Sequence, residues 1–111
     1  AVQGPPAPAY FTVKGGAQAT SLVAVSSPAA IRAEIHEMKH EGGMMTMAPL
    51  KDVPVGAGAR VEFKPGGKHV MLYDVAPQVR AGATVPLRLA FADGKTVEVT
   101  AAVRAAGDSA H

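Results

Sequence analysis

The residues able to do metal chemistry crowd one stretch of this chain. Between His36 and Met71 lie all five methionines (Met38, Met44, Met45, Met47 and Met71) and three of the four histidines (His36, His40 and His69). The stretch reads E-I-H-E-M-K-H-E-G-G-M-M-T-M and then, after a loop and a short apolar run, K-P-G-G-K-H-V-M-L. Ten residues separate His36 from Met47, twenty-one separate Met47 from His69, and one separates His69 from Met71. Two imidazoles and two thioethers form a soft donor set, which selects Cu(I). Neither donor has to lose a proton at neutral pH to bind. The residues point to copper handling.

Taken singly, Met38, Met44 and Met45 read as ordinary core or gap filling, and either His36 or His69 as a surface or hydrogen-bonded histidine. The joint spacing of the four is what argues for a ligand set. Composition removes the competing chemistries. The chain has no cysteine, so disulfides, thiol nucleophiles, zinc ribbons, iron–sulfur clusters and the thiolate-dependent blue-copper site are all excluded. Copper binding without thiols suits an oxidising compartment. The formal charge is +2 and the eleven Lys and Arg residues are spread along the chain. No aromatic–basic interleaving marks a nucleic-acid surface, and no apolar run is long enough to span a membrane. Nor is there a nucleophile–base set or a carboxylate pair that would make an enzyme.

These residues need a scaffold, and 111 residues supply one domain. Short apolar runs broken by twelve glycines and nine prolines favour an all-β sandwich or barrel. Strands are expected at 9–13, 20–25, 31–40, 44–48, 60–63, 69–74, 84–90 and 96–103, about eight in all. Residues 1–8 are expected to be an extended lead-in, 49–59 and 77–82 loops, and 105–111 a frayed tail. The segment 31–40 has good helix formers, yet the strand reading is preferred. Gly42-Gly43 then closes a hairpin, as does Asp93-Gly94. Residues two apart on a strand share a face. His36, Met38 and His40 therefore share one, and so do His69 and Met71. A hairpin register pairing His40 with Met45 and Met38 with Met47 would put Met47 on the histidine face; a slip of one residue would remove it.

The pattern H-x10-M-x21-H-x-M, carried by His36, Met47, His69 and Met71, resembles the ligand signature of the periplasmic copper A chaperone family. Its surroundings match as well: A-Y-F-T-V, A-E-I-H-E-M, E-G-G-M-M-T-M, V-E-F-K-P-G-G-K-H-V-M-L and V-P-L-R-L-A-F-A-D-G, spanning nearly all of residues 9–103. The resemblance implies a cupredoxin-like Greek-key β-sandwich with an exposed Cu(I) site formed by those four residues. It implies delivery of copper to the copper A centre of cytochrome c oxidase (subunit II), alongside Sco-type thioredoxin-like proteins. His40, Met38 and Met45 are the candidate auxiliary ligands, with Cu(II), which favours imidazole, as a second oxidation state. Tyr73 shares the face of His69 and Met71 and is expected to pack at the rim. The segment before Tyr10 is short for this family, so the first strand is expected to be missing or altered. The location implied is periplasmic. Ala1–Pro6 has neither a basic start nor an apolar core, so the expected form is an exported chain without its signal peptide. Two rival readings are a copper buffer with no specific acceptor and a β-sandwich interaction module with no metal function.

Overall fold

Strict alternation of apolar and polar residues sets the sheet. The segment T-V-P-L-R-L-A-F sends Val85, Leu87 and Leu89 into the core and leaves Thr84, Pro86 and Arg88 outside, as a half-buried strand must. The computed structural model describes residues 6–77 and 79–104, with the backbone alone for His40, Glu41 and Met45. Nine strands follow one another: β1 (Ala7–Lys14), β2 (Thr20–Ser26), β3 (Ala30–Glu41), β4 (Met44–Pro49), β5 (Val53–Val55), β6 (Arg60–Phe63), β7 (Lys68–Val75), β8 (Thr84–Phe91) and β9 (Thr96–Val103). The described residues contain no helix, so none is long and apolar enough to cross a membrane.

The strands form one curled sheet in the order β4-β3-β7-β6-β1-β9-β8-β2-β5. β1 is the seam of the curl. Its first residues pair with β7 (Ala7↔Leu72, Pro8↔Met71, Ala9↔Val70), its last with β6 (Phe11↔Phe63 to Lys14↔Arg60), and its other edge with β9. β2 packs back against β3, which closes the curl around Leu22, Val70, Leu72, Leu87, Leu89 and Val103. The Phe11 and Phe63 rings stack with centres 4.4 Å apart. Leu87 is 1% exposed, so Leu87→Ala should lower the unfolding free energy by about 2–5 kcal/mol. A urea midpoint shifted by less than an ordinary surface change would contradict this packing.

Three expectations need correction. The loop expected at 49–59 contains β5, whose Val53 and Val55 are almost fully buried and pair with β2. Pro54 argues against a central strand, but β5 lies at the sheet edge, where proline is tolerated. The described residues therefore hold nine strands. The strand that carries Tyr10 begins within the supposed lead-in, because Ala7 and Pro8 pair with β7. The expected frayed tail at 105–111 lies outside the described residues.

Candidate metal centre

Register decides which side chains can meet. β3 pairs with β7 through Glu34↔Met71 and His36↔His69 and with β4 through Met38↔Met47 and His40↔Met45. Directly opposed residues share a face. Glu34, His36, Met38, Met47, His69 and Met71 therefore lie on one face of three adjacent strands. The hairpin register is the one that keeps Met47 with the histidines. It follows from Gly42 (φ 58°) and Gly43 (φ 80°), which supply the two positive φ angles of a type I′ turn between Glu41 and Met44. Met38 also donates its amide to the Gly67 carbonyl at 3.1 Å, tying the β6–β7 turn to β3.

The four predicted ligands differ in exposure. His69 (3%), His36 (8%) and Met71 (8%) are buried, whereas Met47, on the edge strand β4, is 47% exposed. The His36 and His69 rings stand edge to face with centres 5.7 Å apart. Imidazoles sharing one ion at metal–nitrogen bonds of about 2 Å have ring centres roughly 5–6 Å apart. Pro8 opposes Met71 on the β1 side, and the Tyr10 ring lies 6.3 Å from His69.

Each ring exposes an unmet need. His36 Nδ1 and His69 Nε2 are buried without a hydrogen-bond partner. Such a group costs about 1–3 kcal/mol, a cost that a cation held between the two rings would offset. His36 Nε2 is satisfied by Glu34 Oε1 at 3.0 Å. That hydrogen bond is the main reason the Glu34 carboxyl sits below its ordinary value of 4.5, with Arg32 adding to the effect. Burial holds His69 below its ordinary value of 6.5, partly offset by a hydrogen bond to the Gly67 backbone. A neutral imidazole is the form that binds metal, so burial keeps His69 ready at neutral pH. Among the described residues no three His, Cys, Asp or Glu side chains gather as a metal site.

The depressed pKa of His69 carries a stability consequence. Between its folded and unfolded values the unfolded chain binds more protons, so stability rises with pH there. The contribution is intact above pH 6.5, the ordinary value, and fades as pH falls through the lower folded value. Urea midpoints of the metal-free chain should therefore drop from pH 7.5 to pH 5.5. The drop should shrink in His69→Gln, and an equal drop in both would remove His69 as its source.

The auxiliary candidates divide. Met38 lies opposite Met47 and is half-buried. His40 and Met45 oppose one another further along the hairpin, and their side chains lie outside the description. Tyr73 packs at the rim beneath Arg32, whose guanidinium lies 4.1 Å from the ring centre. Glu34 was not singled out from the sequence, although its place two residues before His36 puts it on the same strand face.

A helix-free curled sheet with this register has the cupredoxin-like fold of PCuAC domains. The apo PCuAC domain from PmoF1 superimposes with a TM-score of 0.66 at 24% identity, covering 95% of this chain and 84% of that one. The copper-bound PCuAC domain from PmoF2 gives 0.65 at 23%, with the same coverage. Apo-DR1885 from Deinococcus radiodurans gives 0.58 at 28%, covering 95% of this chain and 72% of that one. The LpqE-like lipoprotein family model matches residues 1–103, and the chain belongs to that family. Lxx21020 of Leifsonia xyli subsp. xyli (strain CTCB07), which carries a lipoprotein name, is 32% identical over 98 residues, 86% of this chain. The uncharacterized protein RP573 of Rickettsia prowazekii (strain Madrid E) is 33% identical over 87 residues, 76% of this chain. The chain spans 59% and 48% of the lengths of these two relatives.

Proposed function

We propose that this chain is an exported copper chaperone that holds Cu(I) through His36, Met47, His69 and Met71. One observation carries the reading. Two buried imidazoles, each with a nitrogen lacking a partner, stand 5.7 Å apart on the face that also bears two thioethers. The fold shared with a copper-bound PCuAC domain and the LpqE-like membership support it. The proposed setting is periplasmic, and the proposed acceptor is the copper A domain of cytochrome c oxidase subunit II, with Sco-type proteins in the same pathway. No catalytic step is involved.

The donor set explains how metal could be both kept and given up. Neutral imidazoles and thioethers satisfy Cu(I) without a thiolate, so an acceptor offering thiolates competes for the ion by ligand exchange. Met47, half-exposed on the edge strand, is the ligand an acceptor can displace first. Protonation of the imidazoles removes donors, so Cu(I) affinity should fall as pH drops through the histidine range. A Cu(I) affinity that stays flat from pH 8 to pH 5 would take the histidines out of the site.

The deciding experiment mixes the Cu(I)-loaded chain anaerobically with an apo copper A domain, separates the two and measures the metal in each. Transfer to the copper A domain faster than to a small-molecule chelator of equal affinity supports delivery. Equal rates to both would make the chain a buffer.

A further inference from the structure

An imidazole has two nitrogens, and the surroundings of His36 choose between them. Nε2 lies 3.0 Å from Glu34 Oε1. An ionised carboxylate only accepts hydrogen bonds, so Nε2 carries the proton of that contact. In the neutral ring the lone pair is then on Nδ1, the atom that is buried without a partner. His69 has the opposite arrangement. There the nitrogen buried without a partner is Nε2.

Glu34 is itself held in place. Its second oxygen lies 3.4 Å from Arg32 Nε, and the Arg32 guanidinium lies over the Tyr73 ring. Glu34 opposes Met71 and Arg32 opposes Tyr73 across β3 and β7. The row Tyr73, Arg32, Glu34, His36 thus runs along one face, each member fixing the next. Carboxylates that hold the far nitrogen of a metal-bound histidine set its tautomer and ring orientation.

We propose that Glu34 is a positioning residue that fixes the Nε2–H tautomer of His36 and so directs Cu(I) to His36 Nδ1, paired with Nε2 of His69. The assignment rests on reading His36 and His69 as ligands. It gives the site a mixed pair of donor nitrogens, with the His36 member set by the Glu34 carboxylate.

Cu(I) is diamagnetic, so the test is nuclear magnetic resonance of the full chain labelled with 15N-histidine. Long-range proton–nitrogen correlations report the tautomer before metal and the ligating nitrogen after one equivalent of Cu(I). The metal-free chain should show His36 protonated at Nε2. Cu(I) should then shift His36 Nδ1 and His69 Nε2. Glu34→Ala should give a mixture of His36 tautomers and weaken Cu(I) binding about 10–100-fold. Glu34→Gln, which keeps a carbonyl acceptor, should restore the tautomer and most of the affinity. Ligation through His36 Nε2, or a Glu34→Ala variant unchanged in tautomer and affinity, would overturn the role of Glu34 alone. If no imidazole nitrogen shifts with Cu(I), the copper reading falls and takes this assignment with it.

Discussion

Replacing His69 and Met71 together by alanine should abolish Cu(I) binding in competition with a chromophoric chelator that the wild-type chain outcompetes at one ion per chain. Both residues lie on β7, an interior strand paired with β3 on one side and with β1 and β6 on the other. Losing only an outer partner of a ligand costs about 10–100-fold in metal affinity, so losing two ligands should cost on the order of a thousandfold or more. The double variant also creates a cavity, since Met71 is buried and Met→Ala costs about 2–5 kcal/mol. Met71→Leu therefore serves as the control, because it keeps the volume and removes only the sulfur. Weak binding in a stably folded Met71→Leu chain would locate the loss in the donor atom. Wild-type affinity in both variants would mean that the four-residue pattern is not the site.

The second large effect should come from residues that touch no metal. Gly42 and Gly43 both have positive φ, a region that costs an L-residue about 1–2 kcal/mol at each position. The substitution Gly42→Val with Gly43→Val should therefore forbid the two-residue turn and open or slip the β3–β4 hairpin. A slip of one residue sends Met47 to the opposite face. Cu(I) affinity should fall to that of Met47→Leu, while the core around Leu72 and Leu87 remains folded. Cross-strand proton contacts between Met38 and Met47 report the register directly. Their survival together with undiminished Cu(I) binding would show that the turn does not set the site.

Which of the candidate residues share a face was more legible in the sequence than the strands around them. Spacing alone put His36 with Met38 and His69 with Met71, because strand period 2 is rigid. The glycine pair marked the turn but left the register as a condition, which the observed pairing of Met38 with Met47 meets. That His36 lies opposite His69 could not be read from spacing, since β3 and β7 are joined through three other elements and their pairing depends on how the sheet curls. The same holds for β1: Pro8 and Tyr10 reach the site only because β1 forms the seam. β5 escaped notice because a three-residue strand with a central proline gives almost no local signal. Its two buried valines were the available clue. Glu34 was missed because a carboxylate beside a strand histidine looks like surface charge until its partner atom is seen.

Among the described residues, the order of the sheet leaves two strands with an unpaired edge, β4 and β5. Open edges invite other chains to add on and are the usual starting point for fibrous aggregation. Here both are brief, at six and three residues. β4 runs into Pro49 at one end and the glycine turn at the other, and the central residue of β5 is Pro54, which has no amide hydrogen to offer. A passing strand thus finds only a short run of backbone groups on either side. The same brevity that made β5 hard to see protects the folded protein from stacking edge to edge with its own copies when it is concentrated.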